Sequence, residues 1–267
     1  MKTQNTFFKQ ITKLGLLLLL TLAISACAGV SKYGDTNTSW KEEVKLHDGS
    51  TVIAKRTFSL GGKTETNKRT AIGSQEITFT VPTTNKTISW KSEYSEDVGR
   101  SNFNLLALHI LNDVAYVVAE TNGCQSYNKW GRPNPPYVLS KSDGNAWQRI
   151  SMAELPIEFK ENNVVIAIDQ RDLSNEIDKH KVISTATVRE LNNRGNLMST
   201  TQYRSIMREP IPKGNGCEVL VPYGNSGWLG LDWFSDQPSY EACTKTCERK
   251  NVNSNNCPCK TLFKEEK

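Results

Sequence analysis

The sequence predicts a mainly β fold of the α+β class: an antiparallel meander of hairpins, propeller-like or a curved open sheet, with short helices and a disulfide-laced C-terminal appendage. Three observations carry this. Short segments alternate apolar and polar residues, turn-forming residues separate them two by two, and Cys243, Cys247, Cys257 and Cys259 crowd together near the C-terminus. Segments 44–47 and 51–58 flank Asp48-Gly49, a dipeptide whose easy positive φ suits a tight hairpin. Segments 75–81 and 87–92 flank Pro82-Thr83-Thr84-Asn85, 105–111 and 114–120 flank Asn112-Asp113, and 137–141 and 146–150 flank Asp143-Gly144. Hairpins following one another this way favour an antiparallel meander over a βαβ fold. Segment 163–169 reads as a buried strand. Val188 and Leu191, with Ile183 or Ala186, give a helical stripe over 184–193 that Gly195 stops, and 201–209 reads as a second short helix before Pro210 and Pro212. Domain organisation follows: a leader over 1–26, a tether over 27–42, a β-rich domain over 43–235 and a cysteine-rich appendage over 236–267.

The leader has a distinct physical signature. Lys2, Lys9 and Lys13 precede an apolar run that closes on Ile24-Ser25-Ala26-Cys27. The uninterrupted apolar core over 14–20 is much shorter than the roughly 20 residues a membrane-spanning helix needs. A basic start, a short apolar middle and small residues at the end describe a secretory signal peptide. Its close resembles the bacterial lipobox, which implies cleavage before Cys27 and attachment of lipid, palmitate included, to the cysteine sulfur and the new amino group. Several acyl chains, at about 0.8 kcal/mol per buried methylene, would hold the chain firmly to a membrane. Ala28 stands where the retention signal of inner-membrane lipoproteins has Asp, so the outer membrane of a bacterial envelope is the expected address.

Charge and cysteines narrow the class. The formal net charge of the whole chain is +5, and the leader takes three of the lysines with it, so the mature chain is near neutral and no nucleic-acid partner is expected. Seven cysteines become an even set once Cys27 is assigned to lipid. In an oxidising compartment the other six read as three disulfides. Cys243 and Cys247 lie one helical turn apart, a rise of about 6 Å. Cys257 and Cys259 flank Pro258, and extended chain would separate them by about 6.6 Å on one side. A turn at 253–256 would run the second segment back along the helix, pairing Cys247 with Cys257 and Cys243 with Cys259, and leaving Cys124 for Cys217. A four-cysteine zinc site is the alternative for the terminal cluster.

Candidate binding residues gather in two places. Segment 123–137 reads as a long shaped loop in which Tyr127, Trp130 and Tyr137 offer flat faces and Arg132 a fork of donors, a set suited to stacking on sugars or anchoring a protein. Trp228 and Trp233 with Phe234 form a second group after Cys217, and a Cys124–Cys217 bond would make the two groups neighbours. Catalytic patterns are poor. The three histidines show no metal-ligand spacing, His109 reads as a satisfied, half-buried residue of an alternating strand, and there is no glycine-rich phosphate loop, so neither metal nor cofactor is expected. The run Glu93-Tyr94-Ser95-Glu96-Asp97 reads as a solvated acidic loop. Gly224-Asn225-Ser226-Gly227 resembles the nucleophile segment of trypsin-like proteases but lacks its second glycine and proline, and reads as a tight turn.

Two further resemblances bear on function. Ser142-Asp143-Gly144-Asn145-Ala146-Trp147 is similar to the Asp-box turn of sialidase-type propellers, one residue short between Ser and Trp. The blocks from Trp90 to Asn104 and from Tyr127 to Tyr137 resemble a group of proteobacterial lipoproteins of unassigned function, which implies the envelope address and no particular activity. The expected function is that of a non-enzymatic, outer-membrane-anchored lipoprotein, either binding a protein or glycan of the envelope through its aromatic loops or serving as a structural protein of the envelope. The alternative is a carbohydrate-active, sialidase-like enzyme or a glycan-binding protein.

Overall fold

The computed structural model describes residues 37–63, 70–166, 170–194, 200–212, 216–225 and 227–263. The expected signal peptide, Cys27 and the expected tether up to residue 36 lie outside them. Asn37–Lys267 forms one compact unit. Its first strand, β1 (Thr38–Lys45), begins inside the expected tether, because Trp40 and Glu42 are buried there. With β2 (Thr51–Leu60), β3 (Ile72–Thr80) and β4 (Thr87–Ser92) it forms an antiparallel meander in the order β1-β2-β3-β4. Strict alternation sorts the two faces. Val44, Ala54, Ile77, Phe79 and Trp90 point inward, whereas Lys41 and Lys55, paired across β1 and β2, are exposed. The first hairpin turns as expected: the Asp48 carboxylate accepts from the Ser50 N–H at 2.9 Å, and Gly49 has φ +86.

A small hairpin of β5 (Tyr94–Ser95) and β6 (Arg100–Ser101) leads into a second meander. It comprises β7 (Phe103–Leu111), β8 (Val114–Thr121), β9 (Tyr137–Ser142) and β10 (Gln148–Ile150), in the order β10-β9-β8-β7. Asn112 and Asp113, with φ +51 and +64, make the turn between β7 and β8, a geometry matched to strand twist. The architecture is thus an open pair of stacked sheets, with no closed barrel. Leu105, Leu108, Ala115 and Val117 share a core with the inner face of the first sheet. Leu106, Val118, Leu139 and Ile150 pack on the other side against Phe159, Ile166 and Ile206. The second sheet is therefore covered on both faces, and β7 and β8 read as nearly continuous apolar runs.

The helices are α1 (Gly123–Lys129), α2 (Gln170–Lys179), α3 (Thr185–Asn193), α4 (Thr201–Arg204), α5 (Asp232–Ser235), α6 (Tyr240–Arg249) and α7 (Cys259–Leu262), with a short hairpin of β11 (Leu220–Tyr223) and β12 (Gly227–Gly230) before α5. α3 falls where its stripe predicts, with Ser184 capping the Thr187 N–H at 3.2 Å. α4 is shorter than expected because the chain turns extended at Ser205, and Ile206 N–H donates to the Lys160 carbonyl.

Of the segment expected as a strand over 163–169, residues 164–166 are buried and 163–166 form no strand, whereas 167–169 lie outside the described residues. Val164 enters the core between the sheets, Val165 a core with Trp40, Phe58, Ile183 and Leu191, and Ile166 the core behind the second sheet. Three successive side chains entering three cores do not fit strand alternation. With no strand ladder here, side chains satisfy the backbone. Glu42 accepts the Val165 N–H at 3.3 Å, Arg56 donates to the Val165 carbonyl at 3.3 Å, and Asn192 bonds both the Val164 carbonyl, at 2.8 Å, and the Ile166 N–H, at 2.9 Å. Asn163 caps the free edge of β7 through the Leu108 N–H and carbonyl. Glu42 and Arg56 are a fully buried ion pair at 3.0 Å, with the Trp40 indole donating to Glu42 at 2.7 Å. Burial pushes the Glu42 carboxyl up and the Arg56 guanidinium down, against their mutual attraction.

All three disulfides form as the spacing predicts: Cys124–Cys217, Cys243–Cys259 and Cys247–Cys257. The expected extended segment at 257–259 is instead the start of α7, with Pro258 helical. α6 and α7 bring the pairs together, and Val221, Phe234 and Val252 complete a small core around the sulfurs.

Two stability measurements follow. Arg56→Met leaves Glu42 as an unpaired buried charge and is expected to cost about 3–5 kcal/mol in urea unfolding; a cost under 1 kcal/mol would show the pair to be dispensable. Removing Cys124–Cys217, which closes 93 residues, by a double Cys→Ser change is expected to cost about 4 kcal/mol through the freed unfolded chain.

Candidate functional site

The aromatic surface expected over 123–137 is largely structural. Its first half is helix α1, entered through Gly123 at φ +85, and not loop. Tyr127 and Tyr137 are only 3 and 5 % exposed, so neither presents a face for stacking. Arg132 lies over the Tyr127 ring and donates to the carbonyls of Cys217 and Glu218, both at 2.8 Å, which pins the disulfide-linked segment to α1. Trp130 packs on Phe103 with ring centroids 4.6 Å apart and donates to the Asn102 side chain. Trp228 donates to the Asp97 carbonyl at 2.9 Å. The two aromatic groups thus reach the same β5–β6 hairpin, and their indole N–H groups are used in internal hydrogen bonds. Trp233 is 47 % exposed, with the Lys250 ammonium over its ring.

Other candidates are likewise absorbed. The acidic run is tied to lysines, Glu93 to Lys91, Glu96 to Lys63 and Asp97 to Lys129. Trp147 of the Asp-box-like turn donates to the Ser89 carbonyl at 2.6 Å and packs on the inter-sheet core. The segment at 224–227 is the turn joining β11 to β12, with Ser226 outside the described residues. His109 is more buried than expected, 3 % exposed, stacked on Phe159 and bonded through Nε2 to the Glu161 carbonyl; burial pulls it down to about 4.

A different residue, missed as a site by the sequence reading, occupies a cleft of about 410 Å³. Register builds it: Glu120 on β8 lies opposite Asn104 on β7 and Tyr137 on β9. Its side chain continues the Tyr116 and Val118 face, the face that packs on the layer behind the second sheet. That alternation was the available signal, an acid at an inward position of an apolar strand. Asn104 Nδ2 and the Tyr203 hydroxyl donate to Glu120 Oε1 at 3.3 and 3.1 Å, and Gln202 Nε2 to Oε2 at 3.1 Å. Gln75 Nε2 donates to Asn104 Oδ1 at 2.9 Å, extending the polar row back to the first sheet. Ile211 and Cys217 also line the cleft. All three donors are neutral, and burial outweighs their hydrogen bonds, raising the Glu120 carboxyl to about 7. Burial, with the Glu120 charge adding to it, raises both Tyr137 and Tyr203 to about 12, so both stay protonated donors.

A second hollow, about 380 Å³, lies over Trp40 and Ile177 with Lys41, Lys55, His180 and Lys181 around it. Those four are exposed and solvated, so they lack the buried, pre-oriented groups that the Glu120 cleft has. No family model, curated protein or solved structure matches this chain.

Because the Glu120 proton is held more tightly in the folded chain, its contribution to stability is full below about pH 4.5 and is lost as pH rises through about 7. Glu120→Gln removes that dependence. The stability of the wild type relative to this variant is expected to fall by up to about 3 kcal/mol between pH 4 and pH 8. Urea titrations of both proteins across that range check it, and taking the difference cancels the opposing contribution of His109, which is lost as pH falls from 6.5 towards 4.

Proposed function

We propose that this chain is a lipid-anchored lipoprotein of the bacterial outer membrane, held through Cys27, that binds a small polar ligand or the end of an envelope glycan or protein in the Glu120 cleft. The observation that supports it best is a buried carboxyl flanked by two amides and a phenol inside an open cleft. Such a few convergent polar groups in a concavity are what fixes a ligand's orientation. The reading is of a binding protein and not of a hydrolase. Glu120 is the only carboxyl among the described residues lining the cleft, whereas glycoside hydrolysis generally uses a facing pair. The expected role of the aromatic loops passes to this cleft, since Tyr127, Tyr137, Trp130 and Trp228 are spent on packing and internal hydrogen bonds.

Anchoring and binding are separable by experiment. The native chain is expected to partition into detergent and resist carbonate washing, and Cys27→Ala to appear in the aqueous fraction; equal partitioning of the two would overturn the anchor. Glu120→Gln and Gln202→Ala in the lipidated protein are expected to keep the fold by circular dichroism while reducing crosslinking to envelope components at least fivefold. Unchanged crosslinking in both would remove the cleft from the function.

A further inference from the structure

We propose that the cleft takes a ligand bearing a protonated primary amine, seated as an ammonium on Glu120, with the rest of the ligand against Ile211 and the Cys124–Cys217 bridge. This rests on reading the cleft as a binding site and names the chemistry of what it binds. The argument begins with charge. A carboxylate withdrawn from water needs a compensating positive charge or enough donors. Glu120 has neither in full. The groups facing it are Asn104 from β7, Tyr137 from β9, and Gln202 and Tyr203 from α4, all neutral. Among the described residues no lysine, arginine or histidine lines the cleft.

Hydrogen-bond capacity leads to the same place. An ionised carboxylate offers about four acceptor positions. Oε1 accepts from Asn104 and Tyr203, whereas Oε2 accepts from Gln202 alone among the contacts resolved. Among the described residues one strong acceptor position on Oε2 therefore remains for a ligand. An ammonium, with three donors and a full positive charge, supplies both the missing hydrogen bond and the missing counter-ion, and charge-assisted bonds of this kind are about twice as strong as neutral ones. A divalent metal suits the site less well, because such ions collect several anionic or carbonyl oxygens and only one carboxyl is offered. The amides of Asn104 and Gln202 flank the carboxyl and suit hydroxyl or amide groups next to the amine. Two envelope sources share this chemistry, an unacetylated amino sugar and a lysine side chain of a peptide.

In the ligand-free chain burial raises the Glu120 carboxyl to about 7, so a proton does part of this work. Ammonium binding therefore competes with protonation. Affinity is expected to be about eightfold weaker at pH 6 than at pH 7.5 for a carboxyl titrating near 7.

Calorimetric titration of the detergent-solubilised mature protein tests this with four probes: glucosamine and Nα-acetyllysinamide as cations, N-acetylglucosamine and Nα-acetylnorleucinamide as their neutral counterparts. At least one cation is expected to bind tenfold or more tightly than its neutral counterpart, to weaken at pH 6, and to lose that preference in Glu120→Gln. Which cation wins identifies the sugar or the peptide source. Neutral probes binding as well as cations, with Glu120→Gln unaffected in its preference, would overturn the ammonium while leaving the cleft a binding site. No cation binding at millimolar concentration would also overturn it, even where Glu120→Gln lowers crosslinking in the envelope. Envelope crosslinking unchanged in both Glu120→Gln and Gln202→Ala would instead sink the cleft reading itself.

Discussion

The constraint on which this structure turns is the need to hydrogen-bond the buried peptide groups of Val164, Val165 and Ile166 where no strand is available to do it. Unpaired backbone groups cost as much as lost hydrogen bonds, and these three residues sit where three separate cores meet. Glu42, Arg56 and Asn192 meet the need from β1, β2 and α3. That choice carries a cost, because it places an ion pair wholly out of water, with Arg56 Nε and Nη2 finding no hydrogen-bond partner among the described residues. The guanidinium lies instead about 5 Å from the Trp40 and Phe58 ring centroids, a favourable contact for a cation. One knot thereby ties the first sheet, the segment behind it and the helical layer together.

The same geometry explains why the candidate site lies where it does. With apolar layers on both faces of β7 and β8, any polar side chain on them must sit near a strand end or find partners across the layer. At the end of β8, Glu120 finds Asn104 on the next strand and Gln202 and Tyr203 on α4, and the Gln75–Asn104 bond links this row to the first sheet. Among the described residues the row offers Glu120 neutral donors and no opposite charge. An internal salt bridge, as at Glu42, would have closed the site; among the described residues none lines the cleft, and burial leaves the Glu120 carboxyl raised to about 7.

The aromatic residues make the contrasting case. Tyr127, Trp130, Arg132 and Trp228 are the residue types of a binding surface, yet here they hold α1, the Cys217 segment and the β5–β6 hairpin against one another. Residue type reports the capacity to stack and to donate; it carries no information about whether that capacity is used inward. Glu120 shows the reverse. Alternation placed it on an inward face, but an acid at a predicted strand end is ordinary, and only the neighbours brought by β7, β9 and α4 distinguish it.

What the sequence by itself determined was local. Seven of the eight main strands of the two meanders sit on or within a few residues of the alternating segments, because period-two burial and turn residues such as Asp48-Gly49 act over short distances; β1 shares only 44–45 with the segment expected over 44–47. Pairing of the terminal cysteines was legible for the same reason: a helical turn and a short return segment present two matched pairs of sulfurs, and the pairing survives even though 257–259 is the start of a helix and not extended chain. Tertiary structure decided the rest. Stacking of the two sheets, burial of β1 from Trp40 onward, the non-strand path of 163–166 and the charge balance at Glu120 all depend on partners many residues away in the chain. Which of them meet is set by packing, which no local pattern encodes.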